Sequence, residues 1–213
     1  MAKLRHVLPA ILCCLCSFCT RTEKKYYESG ALRTRYAVKR GSDGELVKHG
    51  PYASYFENGK MSMETHYLDG KEHGRQAAFF ENGQKWYECT YEHGRIVGLK
   101  KEWHEDGSLF SKSHYVNGRR GGKYTDYHPN GEKAYECLFR NAEKEGSFTR
   151  WSATGAVIGR GSYTSGKKHG MFYRWDEQGN LISVQQFDRG NRVEIDPQKR
   201  DSLQNASISP SEI

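Results

Sequence analysis

The strongest constraint on this 213-residue chain is a 24-residue period. Glycines recur at Gly50, Gly74, Gly98, Gly122, Gly146 and Gly170, each 24 positions after the last. A second series, Gly59, Gly83, Gly107, Gly131, Gly155 and Gly179, keeps the same step. A third runs Gly70, Gly94 and Gly118, passes through Ala142, and resumes at Gly166 and Gly190. Six copies therefore cover residues 50–193 without insertion or deletion. With each copy numbered from its first glycine, position 6 is aromatic throughout: Tyr55, Phe79, Trp103, Tyr127, Trp151 and Trp175. So is position 18: Tyr67, Tyr91, Tyr115, Phe139, Tyr163 and Phe187.

Between the two rings comes Glu-Asn-Gly, Glu-Asp-Gly or Pro-Asn-Gly, and Asn-Gly and Asp-Gly accept the positive φ of both central positions of a type I′ hairpin turn. The third glycine follows Asp69, His93 or Asn117 and marks a second turn leading into the next copy. Each unit thus reads as strand, turn, strand, turn, and the glycines that punctuate it are read as turn residues. Alternation puts positions 12, 14, 16 and 18 on one face. Position 16 is mostly small (Thr65, Cys89, Ser113, Cys137, Gly161), which leaves room for rings across the sheet. Position 15 is mostly charged (Glu64, Glu88, Lys112, Glu136, Arg160), so one face is expected to carry both ring series as an aromatic ladder and the other to be wet. A helix is excluded, because apolar residues do not recur at three and four and glycines interrupt every eight to twelve positions.

The expected fold is all-β: an elongated, single-layer antiparallel β-meander or solenoid of six hairpin repeats, each touching only its neighbours. Twelve strands would extend about 58 Å at the usual strand spacing. A hydrophobic content of 36% suits a thin sheet with no wide interior. Residues 26–49 read as a partial capping repeat, since Tyr26–Gly30 imitates the strand-turn end of a unit. Gly30 to Gly50 is five residues longer than the regular interval, and the excess is placed in a longer loop around Arg40–Gly44.

The phrase Tyr55-Phe-Glu-Asn-Gly-Lys60, continuing to Tyr67-Leu-Asp-Gly-Lys71-Glu-His-Gly74, resembles the MORN-repeat variant, the repeat of YwqK-type antitoxins. The resemblance covers 50–193 and implies an all-β repeat rod with an interaction role. Ala142 and the Gly159-Arg160-Gly161 run depart from its pattern.

The ends differ in kind from the repeats. Residues 1–19 place Lys3 and Arg5 before an apolar run from Val7 to Cys19, the layout of an export signal and too short to span a membrane. Cys19 is the candidate for lipidation in a lipoprotein signal, although Phe18 is large for the position before an acylated cysteine. Residues 194–213 lose the aromatics and glycines and read as a disordered tail. Cys89 and Cys137 share position 16 two repeats apart, about 19 Å by strand count and beyond disulfide reach.

No constellation for catalysis, cofactor or metal stands out. The histidines at 49, 73 and 169 follow the repeat spacing and make no metal-ligand motif. Gly118-Arg119-Arg120-Gly121-Gly122-Lys123 lacks the residues of a phosphate loop at both ends. Two surfaces remain as binding candidates. The formal charge is +7, and basic residues gather at the second turns: Lys71, Arg95, Arg119, Arg120, Lys167 and Lys168. Such a stripe either keeps an edge soluble or meets an anionic partner. Phe56, Phe80, Trp86 and Phe110 fall off the main ladder and either cover one another or form an apolar patch. The expectation is an exported, membrane-anchored, non-enzymatic interaction or scaffold module with an unidentified protein partner. The alternatives are anionic head groups or polyanions at the basic turns, or a cytoplasmic antitoxin; no specific nucleic acid is expected.

Overall fold

The computed structural model describes residues 20–198, 202, 209 and 210. The expected export signal, Cys19 and nearly all of the chain after Gln198 lie outside the described residues.

Sixteen strands form one antiparallel sheet. The capping region supplies β1 (Arg21–Tyr26) and β2 (Leu32–Arg40). The first two repeats supply β3 (Leu46–Tyr55), β4 (Met61–Leu68), a two-residue β5 (Lys71–Glu72), β6 (Gly74–Phe79) and β7 (Lys85–Glu92). The next two give β8 (Arg95–Trp103), β9 (Leu109–Val116), β10 (Arg119–Tyr127) and β11 (Lys133–Arg140). The last two give β12 (Glu143–Trp151), β13 (Val157–Thr164), β14 (Lys167–Trp175) and β15 (Leu181–Asp188), and β16 (Asn191–Val193) closes the row. Spatial order follows chain order, with β5 paired only to β4, so the sheet is the expected meander. The cap begins earlier than residue 26, at Arg21. Its five extra residues are shared out: Arg40 pairs with Leu46 to lengthen the strands, and residues 41–45 make the turn. Beyond β16, Ile195 is buried, so the chain is still packed past the expected start of the tail.

The two turns of each repeat differ in a way the dipeptides alone did not separate. In the first turn Gly59 donates to the Phe56 carbonyl at 2.9 Å, and Phe56 donates to the Lys60 carbonyl at 2.8 Å. Only the glycine is left-handed there, at φ 82° for Gly59. This is the three-residue loop of a type I turn closed by a left-handed residue, not type I′. Asn58 keeps ordinary φ because its Oδ1 accepts from the Lys60 amide at 2.9 Å. The type I′ geometry belongs to the second turn, where Asp69 (φ 51°) and Gly70 (φ 81°) are both left-handed. Its glycine amide then donates backward: Gly70 to Lys48 at 2.8 Å, Gly94 to Glu72 at 2.8 Å, Gly118 to Ile96 at 2.9 Å. Each second turn is thereby bonded to the one before it.

The first glycine of each copy is not a turn residue, which corrects its reading from the spacing. Gly98, Gly122, Gly146 and Gly170 lie inside β8, β10, β12 and β14, where the register slips on the preceding strand. A positive φ, 111° at Gly122, lets the strand bulge and bend. Across from every such glycine stands the position-18 ring: Gly50 with Tyr67, Gly122 with Phe139, Gly170 with Phe187. The glycine is required by its backbone rather than by crowding from that ring: a Cβ at Gly74 or Gly98 would meet nothing within 4 Å, and one at Gly122 would meet His114 at 3.3 Å. A one-layer sheet has little depth in which to bury large groups, and most of its deeply buried residues are small: Ala77, Ala78, Thr65, Ser111 and Ser113. Trp175, 1% exposed with Tyr173 stacked on it at 5.7 Å, is the large exception.

Ala142 holds φ 71° where the other second turns have glycine, and its amide still donates to the Arg120 carbonyl at 2.7 Å. A left-handed alanine carries a steric cost of roughly 1–2 kcal/mol. Ala142→Gly should therefore raise stability by about 1 kcal/mol in a denaturant titration, the flexibility it adds to the unfolded chain offsetting part of the relief.

Candidate functional site

Backbone register decides which side chains share a face. Positions 3 and 16 pair directly, as in Tyr52 with Thr65 and Phe148 with Gly161. Positions 4 and 15 pair on the opposite face, as in Thr125 with Glu136. Position 6 lies two residues beyond position 4, so its rings join the charged face. This corrects the expectation of both aromatic series on one side. Position 12 also crosses over, because a register shift before position 6 pairs Tyr55 with Met61 and Tyr127 with Lys133. The side chains agree: Lys85 lies 5.0 Å from the Trp103 ring, Lys112 5.3 Å from Tyr127 and Lys133 5.5 Å from Trp151. Glu88 anchors this face through Lys85 at 2.8 Å, Arg75 at 3.1 Å and Lys101 at 3.3 Å.

The partner of the position-18 series is position 3, which was passed over because only four copies carry a ring there: Tyr52, Tyr124, Phe148 and Phe172. Position 14 adds Tyr135. In the C-terminal half these rings form one continuous chain. Tyr124 meets Phe139 at 5.8 Å, Tyr135 meets Phe148 at 5.5 Å, Phe148 meets Phe172 at 5.4 Å, and Phe172 meets Phe187 at 5.0 Å. Phe148 and Phe172 sit on alternate strands, roughly 9.6 Å apart at the backbone, and lean together over β13. Gly161 makes this possible. A Cβ there would fall 2.8 Å from both Phe148 and Phe172, closer than atoms can pack. Cys137 fills the matching place between Tyr124 and Phe148, buried and free, with burial raising its thiol pKa. Burial also raises the phenols of the ladder, pushing Tyr67 and Tyr91 up to about 12.

Cations sit on these rings. Where position 3 carries a ring, the side chain at position 23 of the preceding copy lies over the position-18 ring and a second ring, at position 3 or, for Lys144, at position 14. Lys48 lies 4.7 Å from Tyr52 and 4.6 Å from Tyr67, and Arg120 lies 5.0 Å from Tyr124 and 5.6 Å from Phe139. Lys144 lies 4.9 Å from Tyr135 and 5.1 Å from Tyr163; Lys168 lies 5.2 Å from Phe172 and 4.7 Å from Phe187. Where position 3 is Gln76 or Lys100, position 23 is Glu72 or Ile96, so the arrangement lapses in the second and third copies. In copies four to six the rings floor an open groove of about 970 Å³, with Arg120, Lys144 and Lys168 on one flank and Arg150 and Arg174 on the other.

The remaining candidates separate. Lys71, Arg95, Arg119 and Lys167 align along the second-turn edge. Lys71, Arg95 and Lys167 each place their aliphatic stem against the glycine of the next turn. Arg120 and Lys168 turn instead onto the ladder face. Phe80 packs on Trp86 at 6.0 Å, so part of the expected apolar patch covers itself. Trp86 and Phe110 stay exposed, at 50% and 42%, while Phe56 is half-buried. His49 meets Asp69 at 3.2 Å and His73 lies against His93, one repeat apart. Among the described residues no three potential metal ligands converge.

The family described as the MORN repeat variant matches residues 48–69, 72–93, 96–117 and 120–141. Residues 48–141 are therefore four tandem MORN-variant repeats. The same strand register, bulge glycine and type I′ turn continue through two further copies to Gly190. No curated protein matches the chain. A crystal structure of a protein of unknown function from Bacteroides fragilis aligns with 81% of this chain and 96% of its own, at 9% identity. Its TM-score of 0.15 carries no argument.

Two outcomes test this geometry. Gly161→Ala should cost about 1–3 kcal/mol in denaturant unfolding and alter the near-ultraviolet circular dichroism of the rings it separates. Glu88, hydrogen-bonded first by Lys85 and also by Lys101 and Arg75, is lowered from its ordinary 4.5 to about 2. A depressed carboxylate stabilises the fold above its unfolded pKa and loses that contribution as pH falls. The stability difference between the parent and Glu88→Gln should thus be full above about pH 5, on the order of 1 kcal/mol for ion pairs this near solvent, and vanish toward pH 2.

Proposed function

We propose that this chain is an exported, membrane-anchored, non-enzymatic binding or scaffold protein whose working surface is the ladder face of copies four to six. MORN repeats point to a binding or scaffold role as a class. The observation that carries the finer reading is the groove itself: a floor of mutually packed rings flanked by five cations, none of them within ion-pair distance of the three carboxylates, Asp126, Asp176 and Glu177, that share the lining. Aromatic side chains and arginine are the groups that dominate binding surfaces. The charged face also sets lysines over rings, but there Glu88 pairs with Lys85 and Lys101, and Glu136 with Lys123 and Lys133. The residues at positions 3, 5 and 14 converge on no nucleophile and base, which supports binding over catalysis.

Export rests on Lys3, Arg5 and the apolar run to Cys19. A second reading has its own observation. The second-turn edge presents Lys71, Arg95, Arg119 and Lys167 in line, a stripe suited to an anionic head-group surface.

The test combines location and face. The mature chain should begin within Cys16–Thr20 by mass, with acyl mass if Cys19 is lipidated, and an intact Met1 chain in the cytosol would overturn export. A photo-crosslinking residue at Ser183 on the ladder face should yield adducts in cells, and one at Glu64 on the opposite face should not. Adducts from Glu64 alone would sink the assignment of the working face.

A further inference from the structure

We propose that the ladder face of copies four to six binds an extended anionic polysaccharide, its acidic groups meeting the row of cations on the rings. This deepens the reading above and rests on it.

The cations are regularly placed. Arg120, Lys144 and Lys168 stand on β10, β12 and β14, so they recur about every 10 Å, twice the strand spacing. A polymer with one acidic group per two-sugar unit presents charges at a comparable regular interval. Each of these cations is also held in position. Rings 4.7–5.6 Å away seat Lys168 and Arg120, and Lys144 is seated in the same way. A long basic side chain seated on rings loses less conformational freedom when an anion arrives. Its outward N–H groups remain free to donate. Arg150 and Arg174 repeat the charge on the far flank.

The rings select against other anions. Their faces are taken by these cations and by one another, as in Tyr163 with Phe172 at 85° and Phe172 with Phe187 at 69°. What faces a ligand is therefore ring edge, phenol hydroxyl and cation, with the carboxylates Asp126, Asp176 and Glu177 at the margins of the lining and Asp126 accepting from the Tyr124 hydroxyl. Ring edges are electropositive and attract oxygen, whereas nucleic-acid bases need open ring faces on which to stack. A peptide would bring backbone amides that need partners, and the strands beneath are already paired with each other from β10 to β15. A flat bilayer would touch the flanks and leave the recessed floor unused. An oxygen-rich, charged, flexible chain meets each of these conditions. The row also ends abruptly, at Ile96, Glu72 and the Lys100–Glu102 pair of the earlier copies, so the site spans three repeats and no more.

The test uses the full chain and a uronate polysaccharide with one carboxylate per two-sugar unit, hyaluronate, in affinity electrophoresis and calorimetry. Expected are binding at low salt, no binding to a neutral polysaccharide, and marked weakening as salt screens the cations. Lys144→Gln with Lys168→Gln should weaken binding by about tenfold or more, two charge-assisted contacts being lost. If that variant loses stability, Arg150→Gln with Arg174→Gln, on exposed side chains, should weaken it in the same direction, and Lys112→Gln on the opposite face should not. Polyglutamate or anionic vesicles binding as well as the uronate would overturn the polysaccharide and leave the face standing. Absence of uronate binding while Ser183 still crosslinks would do the same. Uronate binding indifferent to both double substitutions would remove the face as well.

Discussion

The sheet depends on left-handed backbone at three places in every repeat, and two of them, the second turn and the bulge, set how copies join. At the second turn, paired left-handed residues reverse the strand and aim a glycine amide at the carbonyl of the previous turn, as Gly118 does toward Ile96. At the bulge, a left-handed glycine such as Gly122 lets the strand slip its register and bend, with the position-18 residue Phe139 paired opposite it. The first ties copy to copy through backbone hydrogen bonds, and the second sets the register of each copy on the strand before it. Neither could be served by an ordinary L-residue without strain, and this is why the glycine spacing is so strict.

A sheet with no second layer must cover its own apolar face. Here the cover is made from rings packed edge to face and from the stems and heads of basic residues laid over them. Lys48 stands among Tyr36, Tyr52 and Tyr67, and Lys144 between Tyr135 and Tyr163. These lysines serve as packing groups, since a long basic stem shields apolar surface while its charge stays wet. The same arrangement leaves a charged, ring-floored surface open to a ligand. The contacts that cover the sheet are thus the same ones that shape the groove.

The repeats are alike in backbone and unlike in surface. Position 5 runs Ser54, Ala78, Glu102, Asp126, Arg150 and Arg174, so its charge changes sign along the sheet. Position 23 is acidic or apolar at Glu72 and Ile96 and basic on either side. The meander is held by its turns and bulges, which leaves these positions free to differ from copy to copy. The cation-covered ring ladder that floors the groove, with basic residues at position 5 in its last two copies, is accordingly confined to copies four to six.

Period, strand count, turn placement and the small residues at position 16 were legible in the sequence, because they follow from φ preferences and side-chain volume at fixed spacing. The two kinds of turn were not separable from Asn-Gly and Asp-Gly alone, since both kinds place a left-handed glycine at the same apparent corner. Facing was misread for the same reason. One extra residue opposite Tyr55 reverses the parity of everything before it, and a bulge leaves no mark in an alternating pattern. The ladder through Tyr124, Phe148 and Phe172 was therefore missed, although the basic residue four positions ahead of each ring was a signal that could have found it. Which lysines cover rings and which line an edge was decided only by the tertiary structure, because adjacent residues at positions 22 and 23 point to opposite sides once the strand is paired.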